Sequence, residues 1–136
     1  MRLSARADYA VRACIELALR PDHQLSAEAV AMHADLPAKF LEAILVELRR
    51  ADLIKTQRGP RGGCMLARPP TAITVAEIVE AIDGPIGTVR GEAPERLQYP
   101  PSAAVLQQVW IDLAEDVKKR LGGVTLADLV EPPKPI

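Results

Sequence analysis

The sequence predicts a mainly α fold broken by one small β-hairpin and extended by a long C-terminal helix. Two observations carry that prediction. Apolar residues recur every three or four positions through most of the chain, whereas short runs near residues 54–57 and 64–68 flank a glycine-rich tip. Hydrophobic residues make up 49%, yet there is only one Phe, one Trp and two Tyr, so aliphatic and alanine packing must build the core, which favours helices. A length of 136 residues suits one domain with an appended element.

In chain order, Ser4 can cap a first helix to about Leu19, with Tyr9, Ala13, Ile15 and Leu17 among its apolar residues and Pro21-Asp22 ending it. A second helix, Ala27 to Ala34, is capped by Ser26 and turns Val30 and Ala31 inward. Asp35 tolerates a left-handed backbone, and Leu36 plugs the corner. The third helix runs from Pro37, suited to a first turn, to Arg50. Phe40, Leu41, Ile44, Leu45 and Leu48 form its apolar face, while Lys39, Glu42, Ala43, Glu47 and Arg50 lie toward the other side. Two helices joined by so short a turn make a helix-turn-helix. Ile54–Gln57 and Cys64–Arg68 then read as strands around Arg58-Gly-Pro-Arg-Gly-Gly63, a wing.

Beyond the wing, residues 68–73 should be extended, because prolines exclude helix from the residues before them. Thr74 and Glu77 make a capping box that opens a helix to about Ile82, with Val75, Ile78, Val79 and Ile82 inward and Asp83-Gly84-Pro85 closing it. Residues 86–101 lack periodicity, a loop length that is usually functional or mobile. Ser102 caps a long helix to about Leu121, stopped by Gly122-Gly123; a short capped helix, Thr125–Val130, and a frayed proline-rich end follow. The expected organisation is a winged helix-turn-helix over 1–86, a loop over 87–101, and a dimerisation helix with a short final helix over 102–136.

The wing tip holds two arginines, three glycines and a proline, a composition that makes a poor core and a good phosphate or minor-groove contact. Charge is distributed to match. Residues 1–68 carry 11 Lys+Arg against 8 Asp+Glu, and residues 69–136 carry 6 against 10, although the whole chain is only −1. The combination points to double-stranded DNA. A winged helix used as a protein-interaction module without DNA is the rival reading.

On the long helix, Leu106, Trp110, Leu113, Val117 and Leu121 form one apolar stripe, and Val105, Val109 and Ile111 widen it. That is more apolar surface than one domain consumes, which suggests a homodimer packed helix against helix; a plain buried helix is the alternative. No apolar run approaches the ~20 residues that span a bilayer, and Met1-Arg-Leu-Ser4 does not lead into a signal peptide, so a cytoplasmic protein without membrane contact is expected. Cys14 and Cys64 are too few for a disulfide scaffold and lack metal-ligand spacing. Cys14 suits the core. Cys64, placed beside Arg58 and Arg61, invites a secondary reading as a redox switch, since cationic neighbours lower a thiol's pKa. His23 and His33 stand alone, and no nucleophile–base pair or paired carboxylates emerge, so an enzyme is not expected.

Met1-Arg-Leu-Ser4, Asp8-Tyr-Ala-Val-Arg12, Phe40-Leu-Glu42, Leu48-Arg-Arg50, Arg58-Gly-Pro-Arg-Gly-Gly63 and Leu66-Ala-Arg-Pro-Pro70 resemble the Rrf-type family of bacterial regulators, which includes IscR, NsrR and CymR. The likeness covers residues 1 to about 86 and resumes more weakly over Val109–Leu113 and Val124–Val130. It implies a dimeric winged helix with a long dimerisation helix on a two-fold operator, and repression is the expected regulatory sense. Lys39 and Glu42 then match the exposed start of the recognition helix, and Arg58 the wing arginine. Arg2, Ser26, Ala38, Arg49, Arg50, Arg61 and Gly62 complete the candidate DNA-contacting set. Cluster-binding members carry ligating cysteines in the loop before the dimerisation helix. Here residues 87–101 hold neither Cys nor His, so no iron–sulfur cofactor is expected. Asp8, a ligand position in some relatives, suits first-turn helix electrostatics instead. A small-molecule or protein effector, if used, is expected at the 87–101 loop and the long helix.

Overall fold

The computed structural model describes residues 2–131 and orders them as α1 (Ala5–Leu19), α2 (Ala27–Ala34), α3 (Ala38–Arg50), β1 (Ile54–Gln57), β2 (Gly63–Leu66), α4 (Val75–Asp83), α5 (Ala104–Gly122) and α6 (Leu126–Val130). Helix dominates, and the hairpin sits where the pattern places it. The expected proline-rich, frayed end after Glu131 lies outside the described residues.

Helix α1 is the axis of the core. Its buried residues are Ala7, Ala10, Ala13, Cys14, Leu17 and Ala18, mostly short side chains that let α2, α3, α4 and α6 approach closely around it. Leu41, Ile44, Leu45 and Leu48 of α3 fill the space opposite, with Val30, Ala31 and Leu36 at the corner. The first two helices are capped as the sequence predicts: Ser4 accepts from the Ala7 amide and Ser26 from the Ala29 amide. Ser4 is doubly used, because its hydroxyl and backbone N–H also donate to Asp83 at the end of α4.

The strands pair antiparallel with Ile54 opposite Leu66 and Gln57 opposite Gly63. Leu25, just before α2, makes a single antiparallel bridge to β2: its amide donates to the Cys64 carbonyl at 3.0 Å and its carbonyl accepts from the Cys64 amide at 2.8 Å. The wing is therefore hydrogen-bonded to the helix-turn-helix itself. Helix α4 opens on the expected capping box of Thr74 and Glu77.

Several expectations need correction. Phe40 does not join the α3 core face; it is 45% exposed. Side chains in a helix lean toward its N-terminus, so a residue in the first turn overhangs the helix start, where no neighbouring element covers it. Pro37 is the N-cap and not the first helical residue. Residues 70–72 form a 3₁₀ turn where extended chain was expected. The pre-proline restriction acts on Arg68 and Pro69 alone, and Pro70 itself suits a first helical position. Ser102 does not cap α5; it lies inside a 3₁₀ turn, Pro101–Ala103, and Ala103 caps without a side-chain bond.

The 87–101 segment has local hydrogen-bonded structure. Val89 and Glu92 bridge across a turn at Arg90-Gly91, and the Gln107 side-chain amide donates to the carbonyls of Pro94 and Leu97 at 2.9 and 2.8 Å. The chain then returns to its beginning. Leu126 is fully buried with α1, and its amide donates to the Ile73 carbonyl at 3.0 Å, so α6 seals the unit formed by α1 to α4.

Candidate nucleic-acid interface

The turn between α2 and α3 decides how α3 is presented. Asp35 takes the left-handed conformation, φ 55° and ψ 55°, as a short polar residue can. Its partner was not legible in the sequence. The Arg12 guanidinium donates to the Ala34 carbonyl at 2.6 Å and to the Asp35 carbonyl at 3.1 Å, so a cation caps the C-terminus of α2. Asp8, one turn back, steadies Arg12 at 3.7 Å, and the guanidinium lies 5.8 Å from the centre of the Tyr9 ring. The i, i+4 spacing of Asp8 and Arg12 was the available signal.

The exposed side of α3 presents Ala38, Lys39, Phe40, Glu42, Arg49 and Arg50, all at the surface. The Lys39 ammonium stands 5.0 Å above the Phe40 ring, a cation–π contact that shields the exposed aromatic. Glu47, on the same helix, is committed elsewhere: it pairs with Arg6 at 2.8 Å and ties α3 to α1.

The wing's shape is enforced by glycine. A Cβ on Gly62 would collide with the Gln57 carbonyl oxygen, and one on Gly63 would stand 2.5 Å from the Leu25 carbonyl oxygen. The Gly62 amide closes the tip by donating to the Gly59 carbonyl at 2.9 Å. Arg58 and Arg61 project from that tip, both exposed. Because Leu25 is bonded to the wing root, Ser26 at the start of α2 adjoins it. Arg2 lies apart, at a cavity beside α5 that Asp83 and Trp110 also line.

Charge falls into two sets. Arg6, Arg12, Arg20 and Arg68 are ion-paired within the fold. Lys39, Arg49, Arg50, Arg58 and Arg61 have no ion-pair partner among the described residues. The exposed face thus keeps its cations free for an anionic partner, while the paired ones do structural work. Lys55, Arg90, Arg96, Lys118, Lys119 and Arg120, elsewhere on the surface, are likewise without an ion-pair partner among the described residues.

Cys64 overturns the redox reading. It is buried, 3% exposed, and its thiol donates to the Leu25 carbonyl at 3.3 Å. Burial pushes that thiol up, opposite to the depression expected from nearby arginines, and outweighs the lowering effect of a backbone hydrogen bond. Cys14 is sealed in the core, its thiol pushed up to about 12 by burial and then by Cys64.

The α5 stripe is also divided. Val117 and Leu121 pack with Ala7, Val79 and Ile86 inside the chain. Leu106, Val109 and Leu113 are 43%, 50% and 49% exposed, and Val105 is 80% exposed. No helix among the described residues is long and apolar enough to cross a membrane.

The family model described as "Rrf2: Iron-dependent Transcriptional regulator" matches residues 3–132. The HTH-type transcriptional regulator IscR of Yersinia pestis is 30% identical over 131 residues, covering 96% of this chain and 79% of that protein. Among solved structures, CymR, the global cysteine regulator of B. subtilis, superposes with a TM-score of 0.78 at 31% identity, covering 95% of each chain. IscR of T. potens superposes with a TM-score of 0.77 at 28% identity, covering 96% of this chain and 86% of that one.

Proposed function

Because the chain belongs to the Rrf2 family of transcriptional regulators, we propose that it grips a two-fold operator as a homodimer, with α3 in the major groove and the wing on the flanking backbone or minor groove. The observation that carries this reading is the glycine-locked wing with Arg58 and Arg61 exposed and unpaired among the described residues. A rigid tip loses little freedom on binding, and its unpaired cations exchange condensed counterions for direct phosphate contact.

Lys39 and Glu42 are the base-reading candidates, a donor for guanine and an acceptor for cytosine, while Ala38 and Phe40 offer apolar contact to a thymine methyl. Arg49, Arg50, Arg61, Ser26 and the Gly62 backbone suit phosphate positioning. Arg12 touches no DNA in this scheme; it fixes the turn that aims α3. The exposed run of Val105, Leu106, Val109 and Leu113 supplies the dimer contact. Occupying an operator blocks other proteins from it, so the regulatory sense we propose is repression, with an effector acting through the 87–101 segment that Gln107 ties to α5.

The donor set does not suit an iron–sulfur centre. Cys14 and Cys64 are buried in the core, and the described part of the chain contains no converging group of three His, Cys, Asp or Glu side chains fit to hold a metal. The proposed regulation therefore runs without that group.

The test is a gel-shift series on duplexes selected from a random library. Affinity should fall steeply with salt, and Arg58→Ala should weaken binding and flatten the salt slope by about one unit. Binding that ignores both salt and Arg58→Ala would favour the protein-interaction reading.

A further inference from the structure

A half-open cavity of about 420 Å³ lies between the N-terminal residues, the end of α4 and one side of α5. That volume falls in the range of small-molecule sites. Buried Val79 and Ile86 line its apolar floor, and Trp110, Leu113 and Val117 of α5 make a wall. Gly87 fixes the back of it: φ is +77°, and a Cβ there would stand 2.6 Å from the Ala114 Cβ, so the turn after α4 lies directly on α5.

Two opposite charges border this apolar chamber. Asp83 is held in place by Ser4, whose backbone N–H donates to one carboxylate oxygen at 3.2 Å and whose hydroxyl donates to the other. Asp83 is also the last residue of α4, where the helix dipole favours a cation. Arg2 lines the same cavity and has no ion-pair partner among the described residues.

We propose that the cavity binds a free α-amino acid with an apolar side chain. Its carboxylate meets Arg2, its ammonium meets Asp83, and its side chain rests on Trp110, Leu113 and Val117. A simple carboxylic acid would bring a negative charge to Asp83, and a simple amine would bring a positive one to Arg2. An uncharged hydrocarbon would desolvate both groups without pairing either. Only a zwitterion answers both charges while filling the apolar floor. The site is distinct from the DNA-reading surface, so its occupation is measured without DNA and stands or falls apart from operator binding.

Trp110 is the only tryptophan in the chain and lines the cavity, so its fluorescence reports occupation directly. The full chain is titrated with L-leucine, L-methionine and L-phenylalanine, and in parallel with 4-methylpentanoate and 3-methylbutylamine, which each lack one charge. The expected result is a saturable change with at least one of the amino acids, at an affinity roughly tenfold or more above both single-charge analogues. Asp83→Asn and Arg2→Gln should each weaken that binding roughly tenfold. Because Asp83 also anchors Ser4, the analogue comparison on the unaltered protein decides the matter if that variant folds poorly. No saturable change with any of the three amino acids, or an acid or amine binding as tightly as the zwitterion, overturns the proposal.

Discussion

Helices α3 and α5 are both amphipathic, yet they dispose of their apolar residues in opposite ways. In α3 the residues Leu41, Ile44, Leu45 and Leu48 are all buried within the chain. The nineteen-residue α5 buries only Ala114 and leaves Val105, Val109 and Leu113, spaced four apart, at the surface. The difference separates two jobs. A helix whose apolar side is satisfied internally can turn its polar side to a ligand without shifting. A helix whose apolar side faces solvent is built for an apolar partner, and a second copy of the same helix is the partner we propose.

The sharpest way to break this contrast is to damage each helix in turn. Leu48→Ala should cost about 2–5 kcal/mol of unfolding free energy, measured by denaturant titration, because a fully buried side chain leaves a cavity in the α1–α3 interface. Val109→Glu should leave the far-UV spectrum intact and weaken self-association roughly a hundredfold or more, ~2.7 kcal/mol, in sedimentation experiments. An unfolded Val109→Glu protein would mean that α5 belongs to the core after all. Next in size, Arg58→Ala should reduce operator affinity by about 1–3 kcal/mol with unchanged thermal stability.

The smallest expected effect concerns the paired cations. Burial pushes the Glu77 carboxyl up, but the Arg68 hydrogen bond, the Thr74 amide and the Arg68 charge more than offset it, leaving the carboxyl below its ordinary range. A depressed folded-state value means that the stabilisation is present above the unfolded-state pKa and is lost as the pH falls through the folded one. Both partners are more than a third exposed, so solvent screening holds the effect to about 0.5 kcal/mol. Arg68→Ala should shrink that acid-side dependence, leaving the part held by the Thr74 amide, with DNA affinity unchanged. Loss of DNA binding instead would break the division between structural and interface arginines.

Most of the helices could be read from the chain because their signals are local. Ser4, Ser26, Thr74 and Thr125 each cap the helix that follows, and the apolar period of α3 sits where packing needs it. What escaped depends on contacts distant in sequence. Phe40 fits the helical period of the core, and only the absence of a neighbour over the first turn of α3 leaves it exposed. Arg12 reads as one more surface arginine until folding brings it to carbonyls more than twenty residues away. Cys64 looks exposed beside arginines until Leu25 bridges to it from just before α2. The α5 stripe reads as continuous, but the close approach of Gly87 to Ala114 pulls its second half onto α4. Of the ion pairs, Arg12–Asp8 and Arg20–Glu16 could be read from their i, i+4 spacing, whereas Arg6–Glu47, which joins α1 to α3, could not.

Hydroxyl-radical footprinting on a selected duplex tests both helices at once. The unaltered protein should protect two symmetric half-sites with centres about one helical turn, ~34 Å, apart. Val109→Glu should erase that paired pattern at concentrations where the parent saturates it. A single asymmetric footprint, or a paired one indifferent to Val109→Glu, would contradict the assignment of α3 to DNA and α5 to a second copy of the chain.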